Sequence, residues 1–360
     1  MSPDQEAVEH VTRTARAASA DARRRIDAVL GPGTDADALG AGLFRVGRVA
    51  VHFHPDRLVA GGLTIAAGLL RDGVYLSQFV TGVSAGGLTA FPGGDRDRWE
   101  AAMFGGAYQR PGARPVDRPV YGALDLLGHA DGPSPRFGSC RLRMRPHVLT
   151  RTTLSVGDSY GEPTDRGTMD APLPVVAGLL EEVAAGRLHL GAPDLGPREV
   201  AGLLLSASAP AAPAGRLGRA MDEYLEAQVH GPVRPAEDAD ELVADPSFQG
   251  TPIERELVAL AERGGFDLRW HPGFALPVEA VPEEPRGPMM PVVARRLRAL
   301  TGADVLTAAV VGAGARAVVL DPGAWADLGS PAECLQLLKL LWHVLVITGL
   351  PYGELASGSI

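Results

Sequence analysis

Strand-like and helix-like segments follow one another in this 360-residue chain without regular alternation, and this order constrains the fold more than any single motif. Repeated strand–helix units would imply a parallel sheet with crossover helices. Here three strand-like runs come close together: "RPVYGALDL" (Arg118–Leu126), "SCRLRMRP" (Ser139–Pro146) and "TRTTLSVGDS" (Thr150–Ser159). No helix is predicted between them; the next ones follow at Pro174–Ala185 and Pro197–Ser206. The pattern predicts an α+β protein rather than a doubly wound one.

The rest of the chain fits that class. Val8, Val11, Ala15 and Ala18 recur at helical spacing from about Glu6 to Leu30, and Gly31-Pro32-Gly33 stops the helix. A strand is expected over Leu43–Phe53, a helix over Gly61–Gly73, a second strand over Val74–Val80, and a helix from Asp95, the expected cap, through "RDRWEAAMF". Ser206–Gly215 reads as a linker and Thr251–Arg263 as a helix. The tail reads as helical except for a strand at Ala315–Asp321. Three regions result: 1–45, N-terminal and helical; 46–275, a catalytic α+β domain; and 276–360, mostly helical.

Composition removes several functions. The net charge of −9 argues against nucleic acid or an anionic membrane as partner. Lys339 is the only lysine, which excludes a phosphate loop and Schiff-base chemistry. Two cysteines supply neither a disulfide framework nor a cysteine-ligated zinc. The apolar run Leu337–Leu350 contains Lys339 and His343 and is shorter than the ~20 residues of a membrane span, so it reads as a buried helix. With the acidic, polar start "MSPDQEAVEH", the expectation is a soluble cytoplasmic protein.

Chemistry is concentrated in "VHFHPDR" (Val51–Arg57) and "EAQVHG" (Glu226–Gly231). On a strand, His52 and His54 share a face and Phe53 turns to the core. Paired imidazoles suit a metal-dependent hydrolase completed by Asp56 or Asp158, yet no third ligand stands at a recognisable spacing, so no metal is expected. On a strand, Glu226, Gln228 and His230 likewise share a face; the competing reading is a helix from Met221 through Val229 with Glu226 in solvent. "FPGGDRDRWE" (Phe91–Glu100) reads as a loop entering a helix, or as a glycine nest for a pyrophosphate backed by Arg96.

A strand carrying His52, then "IAAGL" (Ile65–Leu69), then "GVYLS" (Gly73–Ser77) with a Ser/Thr-rich turn, resembles the start of the ADP-ribosyltransferase superfamily, in its His-Tyr-Glu branch. The resemblance implies a split mixed or antiparallel sheet and NAD as substrate. It also implies that the nicotinamide–ribose bond is cleaved and ADP-ribose passes to an acceptor that it does not identify. On that pattern His52, with His54 as competitor, holds the adenosine ribose, and Tyr75 stacks on nicotinamide. Glu226, with Glu223 in reserve, contacts the ribose whose bond breaks. Ser77, Gln78, Thr81, Ser84, Gln228 and His230 are the further candidate NAD contacts. A non-catalytic protein that keeps an NAD pocket is the remaining alternative. The motifs "HFHPDR", "YGALDL", "RFGSC", "GDS" and "EAQVHGPV" are also similar to a bacterial family of unknown function.

Overall fold

Alternation along "LEAQV" decides the centre of the fold. Leu225, Ala227 and Val229 point one way and Glu226 and Gln228 the other, and this segment is a strand. The computed structural model describes residues 1–59, 61–82, 90–207 and 215–356, so Ser84 and most of the 206–215 stretch lie outside the described residues.

The strands are β1 (Arg48–Phe53), β2 (Val120–Asp125), β3 (Cys140–Met144), β4 (Thr152–Val156), β5 (Arg166–Gly167), β6 (Leu225–Val229), β7 (Ala239–Ala244), β8 (Asp267–Trp270), β9 (Leu276–Pro277) and β10 (Val305–Leu306). Eight hydrogen-bond in the order β5-β4-β6-β2-β1-β3-β7-β8, and β9 pairs with β10 apart from them. The pairs β1–β2, β2–β6, β4–β6 and β4–β5 are antiparallel, whereas β7–β8 is parallel. The protein is therefore α+β, with a large mixed sheet flanked by helices.

Two compact units divide the chain. The first comprises Met1–Val51, Val74–Ser134 and Leu142–Asp240; the second comprises His52–Gly73, Pro135–Arg141 and Glu241–Ile360. The 46–275 stretch thus contributes to both. In the first unit, the helix Leu173–Ala184 packs on β4 and β5 and against the long helix Pro3–Leu30. Arg25 of the long helix ties them together, pairing with Asp165 at 2.7 Å and Glu181 at 2.6 Å. In the second unit, the helix Pro252–Gly264 connects the parallel strands β7 and β8. Helices Met289–Thr301, Ala308–Leu320 and Pro331–Thr348 pack on one another there. Pro331–Thr348 is long and apolar enough to cross a membrane by length and composition alone. Its Leu338, Leu341, Trp342 and Leu345 are buried in the fold.

Three expected strands change. Leu43–Val46 ends the helix Ala36–Val46, so β1 begins only at Arg48, after Gly47. Val74–Val80 is not a strand: Tyr75 forms an isolated bridge with Val233, and Gln78–Thr81 is one helical turn. Ser77 stands at its N-cap and Gly82 closes it with φ 64°, the punctuation of a helix end. Ala315–Asp321 belongs to the helix Ala308–Leu320, which Thr307 starts by accepting the Val310 N–H. Val311 and Val318 are buried on one face of that helix, and this packing overrides the strand propensity of the β-branched residues. Gly94, not Asp95, is the cap residue of Asp95–Phe104.

Candidate active site

The sheet register assembles a polar face from three strands. Glu226 lies opposite Ser155 of β4 and Ala123 of β2, and Gln228 lies opposite Thr153 and Tyr121. Directly paired residues share a face, so Glu226, Gln228, Thr153, Ser155 and Tyr121 stand on one side. Leu225, Ala227, Val229 and Leu154 stand on the other and are fully buried. A buried polar face must satisfy its own hydrogen bonds, and this one does so in a chain. Gln228 Nε2 donates to Glu226 Oε1 at 2.8 Å and to Ser155 Oγ at 3.1 Å. Thr153 Oγ1 donates to Gln228 Oε1 at 2.7 Å and lies 2.9 Å from His230 Nε2. His230 Nδ1 lies 2.7 Å from the Tyr108 hydroxyl.

Glu226 is 5% exposed, and its second oxygen accepts the Ser159 N–H at 3.4 Å. Burial, reinforced by the charge of Asp158, raises its pKa to about 7, although Gln228, Ser159 and Arg96 favour the ionised form. Asp158 organises the turn that reaches Glu226. It accepts the Tyr160 N–H at 2.9 Å and the Tyr224 hydroxyl at 3.1 Å.

A cation lies among aromatic rings in the same unit. The Arg96 guanidinium stacks 4.5 Å from the Tyr121 ring centroid and 5.1 Å from that of Trp99. Its Nε and Nη1 are buried without a hydrogen-bond partner among the described residues, as is Trp99 Nε1. Tyr160 meets the Trp99 ring edge-on at 5.7 Å and is 74% exposed. Beneath them Glu100, fully buried, accepts from the Tyr121 hydroxyl at 2.9 Å and from Arg118 at 2.8 Å. Arg118 is thereby committed to Glu100 and Asp97, whereas Arg96 keeps donors in hand.

The expected residues separate into two groups. Glu226, Gln228 and His230 come together as the strand reading requires. Glu223, the reserve carboxylate, instead accepts the His189 N–H at 3.0 Å. Tyr75 bonds Val233 through its backbone N–H at 2.8 Å, and burial raises its phenol pKa. Ser77 donates to the Pro115 carbonyl at 3.1 Å, and Thr81 donates to that of Ser77 at 3.2 Å. Gln78 Oε1 is buried without a partner among the described residues. These four belong to the first unit.

His52 and His54 belong to the second unit. His52 Nδ1 lies 3.4 Å from the Gly138 carbonyl, and His54 Nδ1 lies 3.3 Å from Ser139 Oγ. Burial, then the charge of Arg141, lowers the His52 pKa to about 3; burial, then Arg57, holds His54 well below its usual value. Both rings are neutral near pH 7. Gly138 is required beside them, because a Cβ there would lie 2.3 Å from the Phe53 backbone. Asp56 does not join the histidines as a ligand. It pairs with Arg316 at 3.2 Å and lies against Gly312, whose added Cβ would fall 1.5 Å from Asp56 Oδ2. Among the described residues, no three His, Cys, Asp or Glu side chains gather as a metal set.

Arg96, Trp99 and Tyr121 are the site residues that the main sequence reading passed over. The Arg-x-x-Trp spacing in "RDRWE" was the available signal, since residues three apart share a helix face. A family model described as a protein of unknown function, DUF3626, matches residues 48–347. The chain belongs to the DUF3626 family. The DUF3626 match contains Arg96, Asp158 and Glu226, as well as His52 and His54. The chain is also similar to the Gene 2 protein of Mycobacterium phage D29, 36% identical over 91 residues. That stretch is 25% of this chain and spans 31% of the phage protein.

Proposed function

We propose that this DUF3626 protein cleaves NAD at the nicotinamide–ribose bond and transfers ADP-ribose, with Glu226 as the catalytic carboxylate. The observation that carries this reading is Glu226 itself: a buried carboxylate held by two donors, in one unit with a stacked arginine that has unspent donors. NAD combines a pyrophosphate, which suits Arg96, with flat rings, which suit Trp99, Tyr121 and Tyr160. The ADP-ribosyltransferase resemblance adds the order of motifs.

Breaking the bond between ribose C1′ and the nicotinamide nitrogen leaves the electron pair on nicotinamide, which departs neutral. Positive charge then grows on the ribose. Ionised Glu226, fixed by Gln228 and Ser159, is strengthened as a partner while that charge develops. The acceptor's lone pair forms the new bond to C1′, and its proton passes to the Glu226 carboxylate. The cationic nicotinamide ring also favours the ionised form that burial opposes.

The test is incubation of the purified protein with NAD, with nicotinamide release followed by chromatography and NAD binding by calorimetry. Tight binding without release would leave only the NAD-pocket protein. Neither binding nor release, together with a stoichiometric metal lost in His52→Ala, would favour the hydrolase.

The reaction should have an acidic limb. Glu226 acts as a carboxylate with a pKa near 7, so kcat/KM should fall about tenfold per pH unit below that value and level off above it. A profile flat from about pH 5 to 8 would remove Glu226 from the rate-determining ionisation. Arg96→Ala should weaken ADP-ribose binding by about one to two orders of magnitude, and Arg96→Lys should recover only part of it, because a point charge lacks the planar stack. Unchanged affinity in Arg96→Ala would show that the phosphates lie elsewhere.

A further inference from the structure

The hydrogen-bond chain from Glu226 does not end at Tyr108. The Tyr108 hydroxyl also lies 3.2 Å from the carboxylate of Asp4, in the first turn of the helix Pro3–Leu30. That hydroxyl has one proton and two potential acceptors, with His230 Nδ1 the nearer at 2.7 Å.

If Tyr108 donates to His230, every donor can point one way. A protonated Asp4 donates to Tyr108, Tyr108 to His230 Nδ1, His230 Nε2–H to Thr153, Thr153 to Gln228, and Gln228 to an ionised Glu226. The reverse direction is equally complete once the Gln228 amide turns over. A protonated Glu226 then donates to Gln228, Gln228 to Thr153, Thr153 to His230 Nε2, His230 Nδ1–H to Tyr108, and Tyr108 to an ionised Asp4. Any mixture leaves a buried donor or acceptor unpaired, which is costly.

We propose that Asp4 is a positioning residue for Glu226: the two carboxyl groups end one hydrogen-bond chain that carries a single shared proton, so ionisation at one end favours protonation at the other. Both carboxyls hold protons more tightly than usual, which suits such sharing. Burial is the main cause at each. The other charged or polar groups facing Asp4 are Asp117, Arg151 and the Gly231 N–H. Those facing Glu226 are Asp158 and Arg96, with Tyr121 beside it. Arg151 also faces His230, whose pKa burial lowers to about 3. The ring therefore stays neutral and works as a donor–acceptor link rather than a cation.

The consequence for catalysis rests on the NAD reading; the coupling does not. The test is carboxyl-carbon NMR of protein labelled at Asp and Glu, with Glu226 assigned from Glu226→Gln. Asp4→Ala frees Tyr108 to donate to His230 and should raise the acid ionisation constant of Glu226 about tenfold. In Tyr108→Phe, where the chain is cut but the ring stays, Asp4→Ala should no longer move it. Asp4→Asn, which keeps the shape and can donate to Tyr108, should resemble Asp4→Ala. A Glu226 titration unaffected by Asp4→Ala overturns the proposal. So does the same shift in the Tyr108→Phe background, because only through-space charge would survive there. A shift that depends on Tyr108 in a protein that never cleaves NAD would uphold the coupling and sink the reaction.

Discussion

Glu226→Gln should lower nicotinamide release by about two to three orders of magnitude while NAD still binds. Glutamine keeps the shape and removes the charge, so the loss falls on the step in which ribose charge develops. The neighbours can adjust. Gln228 can turn its amide to offer a carbonyl to the new NH₂, and the Ser159 N–H keeps an oxygen to bond. The melting temperature should therefore stay near that of the parent. Losing the anion also removes its repulsion with Asp158, which further argues against unfolding. Release that persists at the parental rate, with the fold and NAD affinity intact, would strip Glu226 of its role. If kcat and KM instead change by the same factor, leaving kcat/KM untouched, Glu226 does not stabilise the transition state selectively.

Asp56→Ala should destabilise the second unit by about 3–5 kcal/mol, the usual cost of removing one partner from a buried ion pair. Asp56 is 1% exposed and has two arginines around it. Arg316 is 34% exposed and can return to water, but Arg57 is half-buried with its Nη1 enclosed and without a hydrogen-bond partner among the described residues, and desolvation already lowers its pKa against the pull of Asp56. Without Asp56 the Arg57 charge is left stranded. Urea unfolding should therefore show an earlier transition. Replacing both residues with leucine should recover most of the loss, since a buried pair can be exchanged for apolar groups nearly without cost. Gly312→Ala should also destabilise this unit, because its Cβ has no room beside Asp56 Oδ2. A cost below about 1 kcal/mol for Asp56→Ala would mean that Arg57 does not depend on it.

In the second unit, the carboxylate of a chemical-looking motif is held by arginines. "HFHPDR" suggested ligands, because two imidazoles and a carboxylate stand within five positions. Its Asp56 is committed to arginines, one of them 260 residues away in the chain. No spacing rule applied to Val51–Arg57 could reveal that partner. The same limit explains Val74–Val80. Its β-branched residues suited a strand, but Val233 pairs only with Tyr75, and the Ser77 and Gly82 signals took over after one bridge.

For the candidate site, local alternation was enough to place Glu226, Gln228 and His230 on one face, even against the good helix formers of "MDEYLEAQ". Apolar residues at every second position share one face on a strand but not on a helix, and Leu225, Ala227 and Val229 are all fully buried. That much the sequence determined by itself, together with the α+β class and most of the long helices, because periodicity is carried by neighbouring residues. Only the tertiary structure decided that Glu226 is buried next to Asp158 and Arg96 and that His230 meets Tyr108. The Ser159 N–H is 67 residues from Glu226 and Tyr108 is 122 from His230, so both contacts depend on strand order and helix packing. A carboxylate's proton affinity follows from the charges and the water around it, and in this protein folding alone brings those charges close and removes that water.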